Sequence, residues 1–493
     1  MHPAAYLVAA VVPLLVLALV LAATGVPRTY GRSVPPAATT APPPEPGATD
    51  GRPGVGDPYY PRAGNSGYDV AKYTIAISWD PVSETLTGTT TLSARAASGL
   101  RSFYLDLALA PQSVSVDGLP AAFERQGFSD VRVQPAQTVA AGADFVVTVR
   151  YAGRPGDLRH GSVRPWWTTG QEWTAVGEPE SSAWWFPAND HPSDPALMDV
   201  SIRVPDGLEA VSVGRLESRD SGQEEGYATW HWRARQPMAT YLSFVTIGHY
   251  DLRQGTEDGL PYVYAVSQQL SQDSRRAAFG QLATSGAKLA ALSALFGPYP
   301  FTELGGVVPA HKLWFGALEN QTRPVYNAES ILDAGFAPQL LTHELAHMWF
   351  GDNVTLRQWD DIATNEGYAS WAEWGVRERS GGRPAQDSLQ RAYDQLADRP
   401  AFWRITLDDP GRDHLFDTVY TRGPMMLQAL RNVIGDDAFF TLSRTWAQDP
   451  GSRTLEDWMA RAQTTTSTDL DPFFRAWVRS PTAPERTAAN GLV

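Results

Sequence analysis

Cysteine is absent from the 493-residue chain, which excludes disulfide bonds, thiolate metal ligands and cysteine nucleophiles. Lysine is nearly absent as well, since the only lysines are Lys72, Lys288 and Lys312 and arginine carries almost all the basic charge. This skew, with abundant Ala, Gly and Pro, is typical of a GC-rich bacterial genome. The formal net charge of −14 leaves no basic surface of the kind that binds nucleic acid, so we expect no nucleic-acid partner.

A long hydrophobic run occurs only at the N-terminus, where residues 4–26 are uncharged and almost wholly apolar. A helix of that length crosses a hydrocarbon core of roughly 30 Å, whereas a secretory signal has a shorter apolar core. Residues 1–27 are therefore predicted to be a transmembrane anchor or a signal peptide, and their length favours the anchor. Residues 28–60 are rich in Pro, Ala and Gly and predict a linker.

The location of the folded part follows from two opposing observations. Arg28 and Arg32 come directly after the apolar run, and the positive-inside rule would place that side in the cytoplasm. A flexible spacer between an anchor and a folded domain is most useful outside the membrane. We expect an extracytoplasmic protein that is membrane-anchored or secreted.

The remaining chain divides into two regions with different periodicity. Residues 61–250 contain runs such as Tyr73–Trp79, where large apolar side chains alternate at period two, and predict an antiparallel β saddle or sandwich. Residues 251–480 contain Ala/Leu-rich segments with apolar spacing near 3.6, such as 270–296 and 387–398, and predict a mainly helical domain. The expected fold class is α+β, with residues 481–493 as a flexible tail.

The helical region contains the segment PQLLTHELAHMWFG at 338–351. His343 and His347 are four residues apart and therefore face the same side of one helix, where two imidazoles can bind one Zn²⁺. Glu344, rotated by about 100° from His343, can reach a water molecule at the metal rather than the metal itself. The segment predicts a zinc site with Glu344 as general base.

A catalytic zinc site takes three protein ligands and leaves one position open. The segment WDDIATNEGYASWAEW at 359–374 supplies Glu366, nineteen residues after His347, on what the periodicity predicts as the next helix. Glu366 is the predicted third ligand. Glu373 and Asp361 are candidates for orienting a ligand, or are ordinary helix carboxylates.

HELAHMWFGD followed by NEGYA resembles the gluzincin aminopeptidases of the aminopeptidase N and leukotriene hydrolase family. The resemblance implies a β saddle followed by a thermolysin-like zinc catalytic domain, and it covers roughly residues 65–480. It implies His343, His347 and Glu366 as zinc ligands and Glu344 as general base. Larger family members add C-terminal domains for which this chain is too short.

A second family signature lies upstream, in Gly316-Ala317-Leu318-Glu319-Asn320, where the family usually has Met in place of Leu318. The resemblance implies that this strand runs along the substrate backbone and that Glu319 binds the free α-ammonium. The loop containing Glu178 and Glu180, before Phe186-Pro187, resembles the loop that carries a second ammonium partner. Glu178 is the predicted residue and Glu180 the alternative.

A fourth match is Tyr420-Thr-Arg422-Gly423, in the place of the family's Tyr-x-Lys-Gly. It implies that Tyr420 donates a hydrogen bond to the oxyanion formed during peptide hydrolysis. The predicted function is therefore a zinc aminopeptidase that acts on peptides with a free N-terminus. Two alternatives stay open: a thermolysin-like endopeptidase with the same zinc ligands, and a catalytically silent surface protein with a structural zinc.

Overall fold

The computed structural model describes residues 47–222 and 225–493. The predicted anchor or signal at 1–27 and the first part of the predicted linker lie outside these residues. Within them, no helix has the length and apolarity needed to cross a bilayer.

The first part of the described chain is built from strands, as the period-two patterns predict. They are β1 (Thr49–Asp50), β2 (Tyr68–Asp80), β3 (Thr85–Ala96), β4 (Leu100–Asp106), β5 (Ala110–Val116), β6 (Leu119–Pro120), β7 (Ala122–Gln126), β8 (Asp130–Gln134), β9 (Asp144–Gly153), β10 (Trp166–Thr169), β11 (Glu172–Ala175), β12 (Ala196–Pro205), β13 (Glu209–Ser212), β14 (Arg215–Ser221), β15 (Tyr227–Met238), β16 (Val245–Gly248), β17 (Tyr250–Glu257) and β18 (Leu260–Ser267).

An eight-stranded sheet in the order β14-β15-β12-β2-β3-β9-β5-β6 forms the N-terminal part. Its pairs are antiparallel except for β2 with β12, which run parallel from Lys72 opposite Leu197 to Ser78 opposite Arg203. Alternate side chains of β2 are buried, as in the run from Tyr73 to Trp79. One face of the sheet therefore packs on the core and the other meets solvent, which is the arrangement that alternation favours.

The second part is mainly helical. Its elements are α1 (Gln272–Leu282), α2 (Ser285–Phe296), β19 (Leu304–Val308), β20 (Ala317–Leu318), β21 (Val325–Tyr326), α3 (Ala328–Leu332), α4 (Ala337–Ala346), β22 (Val354–Leu356), α5 (Ala363–Arg379), α6 (Ala385–Leu396), α7 (Pro400–Trp403), α8 (Val419–Ile434), α9 (Asp436–Ala447), β23 (Gly451–Arg453), α10 (Leu455–Thr464) and α11 (Asp471–Phe474). The α+β fold class, with a β-rich part followed by a helical part, is confirmed.

A five-stranded sheet joins the two parts in the order β17-β18-β19-β21-β20. The strand β20 stands at its edge and pairs with β21 on one side only, with Ala317 opposite Tyr326 and Leu318 opposite Val325. The predicted substrate-binding strand is therefore an edge strand whose other side can accept a further chain.

The expectation of a flexible tail at 481–493 is wrong. Trp477 Nε1 donates to the Asn490 carbonyl at 3.0 Å, and Asn432 Nδ2 donates to the Gly491 carbonyl at 2.8 Å. Leu492 is buried in the core. The segment looks polar in sequence, but one leucine and a few backbone carbonyls are enough to hold it against the helices.

The linker expected at 28–60 is also too long, because its described part is packed. Asp57 is buried and accepts hydrogen bonds from the backbone N–H of Tyr59, Tyr60 and Trp359, each at 2.8 Å. The imidazole of His191 also contacts this carboxylate, with 3.2 Å between His191 Nε2 and Asp57 Oδ2. One buried carboxylate thus attaches this segment to the β-rich part and to the residues that lead into α5.

Candidate metal centre and active site

The helix α4 presents two imidazoles on one face. His343 lies in its last turn and His347 forms its C-terminal cap, so that the two rings are 4.9 Å apart. The chain can turn sharply just after His347 because Gly351 adopts a φ of +129°, where a side chain would be strained. A Cβ atom at Gly351 would also come within 3.3 Å of His347 Nδ1.

The helix α5 brings a carboxylate to the same point. Glu366 Oε2 lies 3.2 Å from His343 Nε2 and 3.4 Å from His347 Nε2. The opposite ring nitrogens are occupied, because His343 Nδ1 is 2.9 Å from Glu373 Oε1 and His347 Nδ1 is 3.0 Å from the Phe350 carbonyl. Both rings are therefore oriented so that Nε2 points at the shared site.

These three side chains fit a zinc ion. One ligand atom from each of His343, His347 and Glu366 can be chosen so that all lie within 4.8 Å of one another. Two imidazole nitrogens and one carboxylate oxygen are a ligand set that zinc uses in catalytic sites, with a fourth position left open. Holding the second ring nitrogen of each histidine by a hydrogen bond is the usual way to fix such ligands.

The pKa values of Glu366 and His347 also indicate a cation site. Burial raises the pKa of Glu366, but His347 and His343 outweigh burial and lower that pKa to about 2. Burial lowers the pKa of His347, but Glu366 and Glu319 outweigh it and raise that pKa to about 9. The carboxylates around the histidines thus favour positive charge at this point, and a divalent cation supplies it.

A contact between two glycines brings α5 and α8 close together. A Cβ atom on Gly423 would come within 2.7 Å of the Gly367 Cα, so the helices can approach this closely only because Gly423 lacks a side chain. This approach brings Tyr420, in the first turn of α8, next to the ligand cluster. Its hydroxyl donates to Glu366 Oε1 at 3.1 Å, and its ring centroid is 5.9 Å from that of His343.

Glu344 lies beside the histidines and is not one of the converging ligands. Its side chain is buried, with a residue exposure of 4%. Burial raises the pKa of Glu344 and the two neighbouring histidines oppose this, leaving a pKa of about 7. Both protonation states are therefore accessible at neutral pH.

The edge strand β20 presents backbone groups toward the same region. The Gly316 carbonyl accepts from the Asn327 N–H at 2.9 Å, and Leu318 pairs with Val325. In an antiparallel ladder the residue between two hydrogen-bonded pairs turns its N–H and C=O the other way. Ala317 therefore directs its backbone groups to the open edge.

Glu319 follows directly and is buried beside the metal ligands. Its Oε1 accepts a hydrogen bond from the Tyr241 hydroxyl at 3.2 Å. Burial raises the pKa of Glu319, His347 opposes this and Glu366 adds to it. A cation brought next to Glu319 would be stabilised by a carboxylate that is withdrawn from water.

Glu178 adds a further carboxyl group to this cluster. Its Oε1 is buried and has no hydrogen-bond partner among the described residues. Burial, followed by the charges of Glu319, Glu366 and Glu344, holds the pKa of Glu178 well above its usual range. The alternative residue, Glu180, lies instead near His160, with 3.7 Å between Oε2 and Nδ1.

Several other residues that the sequence analysis names form hydrogen bonds with backbone groups. Asn320 Nδ2 donates to the Leu242 carbonyl at 3.0 Å, which holds the edge strand against the β-rich part. Asp361 accepts from the backbone N–H of Leu455 and of Gln358. Arg422 is fully buried, and its guanidinium donates to four backbone carbonyls, those of Trp403, Ile405, Trp477 and Ser480.

Three further residues contribute to the site, and two of them, Phe350 and Asp352, belong to the segment HELAHMWFGD. Tyr241 reaches Glu319 from a turn in the β-rich part, and the Phe350 carbonyl orients His347 through the backbone. Asp352 is buried with both carboxylate oxygens unpartnered in the described part of the chain. Burial and the charges of Glu319 and Glu344 hold its pKa well above the usual range.

Comparison with known proteins identifies the catalytic region. Residues 285–477 match the Peptidase family M1 domain. A probable M1 family aminopeptidase 2 of Encephalitozoon cuniculi is 24% identical over 351 residues, which cover 65% of this chain and 39% of that protein. Aminopeptidase N of Streptomyces lividans is 29% identical over 201 residues, covering 36% of this chain and 23% of that protein. The chain therefore spans well under half the length of these curated relatives.

The fold is similar to that of a solved zinc metallopeptidase. The M1 zinc metallopeptidase from Deinococcus radiodurans has a TM-score of 0.78 and 26% identity, over 88% of this chain and 98% of that chain. A variant of that protein has been solved bound to a Tyr-Ser-Ala substrate. Together with the two histidines and the glutamate that converge on one point, these similarities support the aminopeptidase N family of gluzincin zinc metallopeptidases for the part of the chain that they cover.

Proposed function

We propose that this chain is a zinc-dependent aminopeptidase that removes N-terminal residues from peptides. One observation carries the proposal: Glu319 and Glu178, two carboxyl groups outside the group of side chains that can hold the metal, share a buried site with the predicted ligands His343, His347 and Glu366. A hydrolase without preference for a free N-terminus has no use for this additional negative charge. The Deinococcus radiodurans structure with a bound tripeptide supports a peptide substrate.

His343, His347 and Glu366 would hold the zinc ion. When bound, zinc lowers the pKa of a coordinated water and polarises a carbonyl group. Glu344 takes the proton from the attacking water and delivers it to the departing amine. Burial raises the pKa of this carboxyl group toward the range in which a side chain can both accept and donate a proton.

Tyr420 stabilises the charge that develops on the substrate carbonyl oxygen. Its residue exposure is 40%, although its hydroxyl lies 3.1 Å from Glu366 Oε1. The hydroxyl is therefore next to the metal ligands while the ring faces the open side of the site. A hydrogen bond donated to the oxyanion is stronger here than in water because the neighbouring side chains of Glu366 and His347 are withdrawn from bulk solvent.

Glu319 and Glu178 bind the α-ammonium of the substrate. Two carboxyl groups placed close together in a buried site disfavour each other's ionised form, and a bound ammonium removes that penalty. Because Glu319 is attached to the edge strand, the ammonium is held at a fixed distance from the metal ligands. This fixed distance is what limits cleavage to the first peptide bond.

We also propose that residues 4–26 anchor the chain to a membrane with the folded part outside the cytoplasm. The apolar run and the Pro-rich segment after it support this proposal. In intact cells of the source organism, added protease should degrade the folded part. If the folded part is protected until the cells are lysed, this location is wrong.

Replacing Glu344 by Gln tests the general base. The amide keeps the shape of the side chain but cannot accept the proton, so kcat should fall by about 10²- to 10⁴-fold. Zinc content, measured by atomic emission on the purified protein, should stay at the wild-type value. Glu329→Gln, at an exposed carboxylate, is the matched control and should change neither quantity. Turnover near the wild-type rate in Glu344→Gln would overturn the assignment.

Replacing Tyr420 by Phe tests the oxyanion donor. Only the hydroxyl is lost, so kcat should fall by about 10²- to 10³-fold while KM changes little. Tyr227→Phe, on the solvent side of β15, provides the control and should leave both constants unchanged. A variant that raises KM without lowering kcat would assign Tyr420 to substrate binding instead.

A further inference from the structure

Trp314 differs from every other tryptophan of the chain in its exposure. All seventeen tryptophans lie in the described residues, and most are buried in the core. Trp314 is 74% exposed, whereas the two others that are not buried, Trp167 and Trp374, are only half-buried. An indole left in water without a packing partner on its outer face is free to contact a ligand.

The position of Trp314 connects it to the active site. Its ring packs edge-on against Phe315, with centroids 5.3 Å apart, and Phe315 packs against Trp167 at 6.5 Å. Trp167 Nε1 donates to the Val176 carbonyl at 3.3 Å, two residues before Glu178. These three rings, here called the rim aromatics, lie between the strand that carries Glu319 and the loop that carries Glu178.

The direction in which a bound peptide runs along β20 follows from which residues next to Glu319 are buried. Its first residue is held at Glu319, and Ala317 offers its backbone N–H and C=O to the open edge. The chain beyond Glu319, residues 320–323, is buried throughout and leaves no room for the peptide to continue in that direction. The peptide must therefore run antiparallel to β20, past Gly316 and toward the rim aromatics.

We propose that Trp314 binds the part of the peptide that lies beyond the scissile bond, which makes it a specificity-determining residue for extended peptides. From Glu319 back to Trp314 the chain has six positions, of which only Ala317 and Leu318 are strand, while residues 314–316 form a bend that places Trp314 beyond the pairing edge. This inference rests on the proposed aminopeptidase function and adds to it a preference for extended peptides.

The test compares two substrates that share the same first residue. One is leucyl-aminomethylcoumarin, which has no peptide beyond the first residue, and the other is a leucyl pentapeptide with a free N-terminus. Trp314→Ala should lower kcat/KM for the pentapeptide about 3- to 10-fold more than for the coumarin substrate. The loss on the pentapeptide should come from a higher KM and not from a lower kcat. Trp314→Phe should restore most of the pentapeptide value.

The control is Phe123→Ala, which truncates another exposed ring, 37% exposed, on β7 of the β-rich part. It should leave the ratio of the two kcat/KM values at the wild-type figure. An equal loss on both substrates in Trp314→Ala, or no loss on the pentapeptide, would overturn the inference. Failure of the proposed function is seen separately, since the wild-type chain would then not hydrolyse the coumarin substrate.

Discussion

The burial of acidic side chains around two imidazoles is the constraint on which the site depends. Five carboxyl groups are withdrawn from water there, those of Glu178, Glu319, Glu344, Asp352 and Glu366. Such a cluster is costly unless positive charge is brought into it. A divalent cation at the histidines and, in the proposed function, an ammonium at Glu319 would each supply that charge. In that proposal, metal binding and selection of a free N-terminus have the same physical origin.

Contacts from several elements of the fold hold these groups in position. The glycine contact between α5 and α8 brings Tyr420 to Glu366, and the buried Asp57 attaches the segment before β2 to the residues leading into α5. Asn320 connects the segment after the edge strand β20 to the β-rich part by a hydrogen bond. Because each of these contacts joins parts of the chain that are far apart in sequence, the geometry of the site depends on the whole described fold.

The fold class, the family resemblance and the convergence of His343, His347 and Glu366 could be predicted from the sequence because each depends on the spacing of residues within short segments. Two histidines four apart on one helix must share a face, and period-two alternation must form strands. The role of Tyr241 could not be predicted, because it depends on how a turn in the β-rich part meets the edge strand. The packing of residues 481–493 could not be predicted for the same reason, because the burial of Leu492 depends on contacts with other parts of the fold.

The most direct test of the account is the preference for a free amine and its dependence on Glu319. The measurement is the ratio of kcat/KM for a free aminoacyl-coumarin to that for its N-acetyl form, in the wild-type chain and in Glu319→Gln. The account predicts a wild-type ratio of at least about 10², which falls by at least about tenfold in the variant because the charge-assisted contact is lost. Equal cleavage of both substrates by the wild-type chain would contradict it and indicate an endopeptidase.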